Sequence, residues 1–325
     1  MTGNFEDQNS ANEPFAGPET FMNVPFSTAP EKALAAILGV PFDAGTSPTR
    51  VGSRTGPAAI RKQSLLLDRH QPPQTLYSPL EQLSVVDCGD VSVIPSAVAA
   101  SFEKIEAAAS IVLNSGAAPL GFGGDGMISL PLLRAVKAKH PDFAVLHIDA
   151  HTDTYRGEGN AVHDRYNTAT TFTRAAEEGL VDLKNSYHIG IRGTASQSDI
   201  LEHTRAQGYQ VIESNKLFET GLAATAEKLR DGLTGKSVYL CFDMDFFDPS
   251  CAPGVCSPTW GGATAREGLG FLQNLSGIDF IGADINTVSP PHDVGGMTAL
   301  LAATVAFEIL TLFCSSPKIL AKIDT

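Results

Sequence analysis

Basic charge is what this chain has least of. Its 325 residues carry 23 lysines and arginines against 36 aspartates and glutamates, a formal net charge of −13. That balance argues against a nucleic-acid backbone as partner, because phosphate binding relies on lysine and arginine. It suits a protein that gathers cations, including metals and amine- or guanidinium-type groups. Cysteines are few and odd in number: Cys88, Cys241, Cys251, Cys256 and Cys314 are scattered, so reduced thiols rather than a disulfide framework are expected. Cys251 and Cys256 do not have a standard zinc spacing, and no second pair accompanies them. Long apolar runs are lacking too. Residues 34–40 have strand length, residues 298–313 read as amphipathic, and no basic stretch leads into an apolar one near the N-terminus. No membrane span is expected, and the protein is placed in the cytoplasm.

The remaining composition is that of a globular protein, with 43% hydrophobic and 18% charged residues. The length fits one large α/β domain. Residues 1–32, rich in Asn, Glu, Pro and Ser, read as an extended arm anchored by Phe15, Phe21 and Phe26, of a kind that lies on a neighbouring subunit; residues 33–325 read as a single domain. Within that domain, apolar strand patterns at 35–40, 83–86, 119–126, 143–148, 186–191, 208–213, 238–245 and 280–286 alternate with helical ones. The helices are expected at 129–139, 222–233, 264–275 and 298–314, among others. Such alternation predicts a mainly parallel sheet covered on both faces, with ligands bound beyond the carboxyl ends of its strands.

Two of those strands run into acidic motifs. The first delivers Asp149, His151 and Asp153 at alternate positions, so an extended backbone would point all three the same way. The second delivers Asp243 and Asp245. Four aspartates in one pocket would repel one another and be driven to protonate unless cations neutralise them, which predicts metal binding. Carboxylates with one imidazole suit Mn²⁺, Fe²⁺, Co²⁺ or Ni²⁺ better than a thiolate-seeking metal. Carboxylates can also bridge two ions, and a water held between them becomes a hydroxide near neutral pH, the chemistry of a metal-assisted hydrolase. A second motif, Gly121-Phe122-Gly123-Gly124-Asp125-Gly126, satisfies the G-x-G-x-x-G spacing of a dinucleotide fold, but Asp125 puts a carboxylate where a pyrophosphate would sit. A tight glycine turn lining the site is the competing reading.

The assembled motifs resemble the ureohydrolase family, the arginases and above all the agmatinase-like branch. The resemblance rests on Pro14-Phe15-Ala16-Gly17, Gly39-Val40-Pro41-Phe42-Asp43, Gly56-Pro57 with Ile60-Arg61, Asp149-Ala150-His151-Thr152-Asp153, Ile189-Gly190-Ile191-Arg192-Gly193, Phe242-Asp243-Met244-Asp245, Ala252-Pro253-Gly254 and Pro290-Pro291. It implies a three-layer α/β/α fold around an eight-stranded parallel sheet, a binuclear metal site, often a hexamer, and hydrolysis of a guanidino carbon–nitrogen bond to urea and an amine. Two positions depart from the family. Its glycine-rich turn is followed by a histidine that binds the first metal, where this chain has Gly126; and a glutamate that pairs with the guanidinium is replaced by Thr287.

By that resemblance the first ion would keep Asp149, Asp153 and Asp243, and the second Asp149, His151, Asp243 and Asp245. The second is expected to hold Mn or Ni better, so that one ion, or none, replaces two. Asp153 is expected to serve catalysis as well. His163 lies about where relatives place a proton-shuttle histidine, and reads equally as an exposed loop residue. His147 and His188 fall in strand patterns and read as core or supporting residues. Three functions follow: a degenerate subunit supporting a catalytic paralogue, an arrangement that resembles the two-chain metformin hydrolases; a self-sufficient hydrolase of a substituted guanidine or amidine; and a nucleotide-binding oxidoreductase.

Overall fold

In a computed structural model of the protein, residues 19–46, 49–68, 77–158 and 162–323 are described, without the side chains of 162 and 163. Eight strands form one sheet: β1 (Ala35–Val40), β2 (Val86–Asp90), β3 (Ala118–Gly123), β4 (Ala144–Ile148), β5 (Tyr187–Ile191), β6 (Gln210–Glu213), β7 (Ser237–Asp243) and β8 (Asp279–Asn286). Their order is β2-β1-β3-β8-β7-β4-β5-β6, and every pairing is parallel. The chain has the expected eight-stranded α/β architecture.

Successive strand residues face opposite sides of the sheet, and the core divides accordingly. Ile37, Leu120, Leu146, Leu240 and Ile285 pack with the helices Ala265–Gln273 and Met297–Ser315 on one face. Leu38, Val145, Tyr239 and Ile281 pack with Val98–Ser115 and Ser129–Lys139 on the other. Strands covered on both faces have no wet side to mark with polar residues, which is why β1, β3, β7 and β8 are buried along their whole length.

Three local expectations are corrected. The strand expected at 83–86 is β2, which begins only at Val86, because Leu83 closes a short helix, Pro79–Gln82, instead. The helix Met297–Ser315 is not amphipathic: it is apolar enough, with a mean hydropathy of 2.0, and long enough to cross a bilayer, yet it is mostly buried inside the protein. Packed against β8 and flanked by the helices Gly56–Ser64 and Ala265–Gln273, it is covered on several sides and needs no polar stripe. The 143–155 segment is not one continuous strand, since β4 stops at Ile148.

Near the start of the described chain, Phe21 is fully buried and packs edge-to-face on Phe122 of the same chain. The Phe21 N–H donates to Asp87 Oδ2 and the Met22 N–H to Ser64 Oγ. Phe26 is half exposed. Phe15 lies outside the described residues.

Candidate metal centre

Four neighbouring strands, β3, β8, β7 and β4, end side by side, and their carboxyl ends deliver the site. After β3 comes Gly126, after β8 Thr287, at the end of β7 Asp243, and directly after β4 Asp149. Residues 149, 151 and 153 do not share one strand face as expected, because they form a loop. Asp153 has the left-handed φ of 50°, and this turn swings its carboxylate back towards Asp243 rather than continuing the alternation. Asp245 likewise sits in a turn, Met244–Phe246, beyond β7. Gly190 makes room for both turns: its φ is 102°, and a β-carbon there would lie 2.6 Å from the Phe246 ring and 2.8 Å from the Asp149 carbonyl oxygen. Arg192 then pins the second turn by donating to the carbonyl oxygens of Asp245 and Thr259, 2.6 and 2.7 Å away.

The result is two adjoining groups of ligand-type atoms. Those of Asp149, His151 and Asp245 lie within 4.8 Å of one another, as do those of His147, Asp149, Asp153 and Asp243. His151 Nδ1 is 3.2 Å from Asp149 Oδ1 and 3.4 Å from Asp245 Oδ2. Burial alone would raise Asp149, but His147 and His151 outweigh it and hold that carboxyl well below its usual range. Burial and then the Asp149 charge push Asp153 and Asp243 well above theirs, and raise Asp245 to about 6 despite His151. Burial would lower His151, yet Asp245 and Asp149 raise it well above the ordinary imidazole value. Like-charged carboxylates held this close without a cation would have to share protons. Asp243 Oδ1 is buried with no hydrogen-bond partner, the open acceptor a cation would satisfy.

All five sequence-nominated ligands therefore converge, with Asp149 common to both groups. His147, a core or supporting residue by its strand pattern, is fully buried and stands directly beneath the carboxylates, 3.0 Å from Asp149. Its sequence signal was its place two residues before Asp149, on the same side of the chain. A β-carbon on Gly126 would lie 3.3 Å from Asp153 Oδ2, so a side chain there would point at the first group. Arg156 does not fill that space, since it turns outward to Asp199. Thr287 lines the cleft, with its hydroxyl donated to the Asn286 carbonyl oxygen. The side chain of His163 lies outside the described residues.

The residues present fit a divalent ion at Asp149, His151 and Asp245, where an imidazole joins the carboxylates, while Asp243, expected to join them, lies instead with His147, Asp149 and Asp153. The glycine turn does not fit a dinucleotide. Asp125 accepts from the N–H groups of Gly45 and Met127 and from the Thr46 hydroxyl, so a carboxyl group is fixed in the turn where a pyrophosphate would sit.

A family model described as the arginase family matches residues 33–312. This chain belongs to the arginase family. Relatives include the guanidinopropionase of Pseudomonas aeruginosa, 38% identical over 93% of each chain. The mitochondrial guanidino acid hydrolase of Homo sapiens is 37% identical over 92% of this chain and 83% of its own. Agmatinase of Neisseria meningitidis is 37% identical over 90% and 92%. Among solved structures, the proclavaminate amidino hydrolase of Streptomyces clavuligerus superposes with a TM-score of 0.88 at 32% identity, covering 94% of this arginase-family chain and 99% of that one.

Proposed function

We propose that this arginase-family chain is a non-catalytic or weakly catalytic subunit of a cytoplasmic hetero-oligomeric hydrolase, hexameric and containing a catalytic paralogue, that cleaves a guanidino carbon–nitrogen bond of a substituted guanidine or biguanide. The observation that carries the reading is that Gly126 faces Asp153 and Asp243, which together with Thr287 line one cleft of about 670 Å³. One position offers no imidazole to Asp153 and Asp243. The other offers a hydroxyl where a carboxylate would face a guanidinium, and losing the partner of a buried charge typically costs about 2–5 kcal/mol of binding.

The lining also favours a substrate without a carboxylate. Asp149, Asp153, Asp243, Asp245, Glu158 and Asp164 line the cleft, and among the described residues no lysine or arginine does. Neither do residues 47–48 or 159–163 contain one. A carboxylate tail would find no lysine or arginine to pair with there, whereas a cationic guanidine would meet the carboxylates.

A metal ion bound at Asp149, His151 and Asp245, Mn or Ni by the character of these donors, would supply an activated water. The chain's own residues supply the rest. Thr259 Oγ1, 3.3 Å from His151 Nε2, holds the outer nitrogen of the imidazole and leaves Nδ1, beside Asp149 and Asp245, free for the ion. Arg192 fixes the turn that presents Asp245. The intact Asp149–His151–Asp245 group favours a second reading, a self-sufficient one-ion hydrolase. Urea release measured on the chain alone and on the chain co-purified with a catalytic paralogue separates the two. Turnover by the lone chain at ordinary enzyme rates, about 1–1,000 per second, overturns the subunit reading.

A further inference from the structure

Beneath the carboxylates lie two buried histidines that the preceding chemistry leaves unused. Strand register brings them together: His147 on β4 stands opposite His188 on β5, and on its other side opposite Cys241 of β7, two residues before Asp243. His147 Nδ1 is 2.8 Å from His188 Nδ1. Its other ring nitrogen, Nε2, is 3.0 Å from Asp149 Oδ2 and 3.3 Å from Asp243 Oδ2.

One proton lies between the two Nδ1 atoms, and His188 decides which of them carries it. His188 is packed among the rings of Phe172 and Tyr209, and its Nε2 is buried without a partner. Burial holds the His188 pKa well below its ordinary value, so the ring is neutral and carries one proton. A proton on Nε2 would be a buried N–H with no acceptor, a costlier orphan than a bare lone pair. The proton therefore sits on His188 Nδ1 and is donated to His147 Nδ1. His147, accepting there, keeps its own proton on Nε2 and donates it towards Asp149 and Asp243.

We propose that His188 and His147 form a proton-ordered pair that positions Asp149 and Asp243, with His147 a donor to those carboxylates and not a metal ligand. The pair draws Asp149 Oδ2 and Asp243 Oδ2 inward and leaves Asp243 Oδ1 facing the first ion position. His147 thus does not replace the imidazole missing at Gly126, although its ring lies close enough to suggest so. Hydrogen bonds of this kind beneath a metal centre fix the orientation of the ligands, and their loss typically lowers metal affinity about 10- to 100-fold. The inference rests on the metal-centre reading, and its test separates the two.

The test uses the full-length chain, with Mn²⁺ and Ni²⁺ each titrated against a competing chelator. His147→Gln keeps an N–H near the position of Nε2, whereas His147→Met has similar bulk and no donor. His147→Gln is expected to bind within about threefold of the unmodified chain and His147→Met at least about tenfold more weakly. His188→Leu, which frees the His147 tautomer, should weaken binding in the same direction should His147→Met fail to fold. Crystal structures of the metal-free variants should show both carboxylates in place with Gln and displaced with Met. Equal losses in Gln and Met would mean that His147 is a ligand and overturn the proposal. Unmoved carboxylates in His147→Met would overturn it as well. Should no form bind either ion, the metal-centre reading fails, and the carboxylate positions still decide whether the pair positions them.

Discussion

A β-carbon on Gly126 would stand 3.6 Å from Asp243 Oδ1, the buried carboxylate oxygen that has no hydrogen-bond partner. The same β-carbon would be 3.3 Å from Asp153 Oδ2 and from Thr168 Cγ2. An open acceptor thus faces a position that carries no side chain.

Gly126→His should gain bound metal. The contacts at 3.3 Å require Thr168 to give by a few tenths of an ångström, and Gly126 needs no left-handed backbone. After dialysis against Mn²⁺ or Ni²⁺, elemental analysis should find more metal in Gly126→His than in the unmodified chain, with no gain in Gly126→Ala. Equal metal in all three would refute the reading of Gly126 as the missing ligand position.

Thr287→Gly should stabilise the protein. Thr287 has a φ of 72°, a left-handed backbone that a β-branched residue adopts only under strain. Such strain costs about 1–3 kcal/mol, part of which glycine gives back in chain entropy. Urea denaturation should show a gain of about 1 kcal/mol. Lower stability in Thr287→Gly would mean that the buried hydroxyl's bond to the Asn286 carbonyl oxygen outweighs the strain.

Metal-free protein should lose stability between about pH 4 and 7, in part through Asp284. That buried carboxylate accepts from Ser129 Oγ and Asn286 Nδ2, and burial raises its pKa to about 6. The folded chain holds this proton more tightly than the unfolded chain does. The stability it contributes is therefore complete below the unfolded carboxylate value near pH 4 and is lost as pH rises through about 6. Asp284→Asn keeps the acceptor oxygen and removes the titration. Melts in chelator across this range should show a loss smaller by on the order of 2–3 kcal/mol, and parallel profiles would exclude Asp284 as the cause.

Arg61→Met should be strongly destabilising. Arg61 is buried and donates to both oxygens of buried Asp87 at 2.8 and 2.9 Å, while Asp87 Oδ2 also receives the Phe21 N–H. Removing one partner of a buried pair costs about 3–5 kcal/mol. Chemical denaturation of Arg61→Met should show that loss, and limited proteolysis should release the segment around Phe21 before the sheet unfolds. A loss under about 1 kcal/mol would mean that Asp87 is satisfied by its remaining donors.

Most of the ligand set was legible along the chain. Asp149, His151 and Asp153 lie within five residues and Asp243 and Asp245 within three, so proximity inside each motif is local, and only the meeting of the two motifs depends on the pairing of β4 with β7. Their geometry was less legible. An extended strand through 149–153 was the natural inference from the apolar run before it, but the positive φ of Asp153 is imposed by the packing of the loop, including the Asp153 carbonyl oxygen accepting the Phe172 N–H. Likewise the apolar pattern of residues 298–313 did not show that this helix would be covered on several sides, because coverage depends on which helices arrive beside it.

By itself the sequence determined the strand–helix alternation and the two Asp-rich motifs, because each depends on residue type and short spacing, whereas the departures at Gly126 and Thr287 stood out only against the family the chain resembles. Only the tertiary structure decided that β8 and β7 lie between β3 and β4, setting Gly126 and Thr287 at the same centre as Asp149 and Asp243. It also decided the role of His147. The proton of that histidine is placed by His188, 41 residues further along the chain, through a partner-less nitrogen among aromatic rings. Local residue patterns specify what a side chain can donate or accept, but its actual partners are set by long-range strand register and burial.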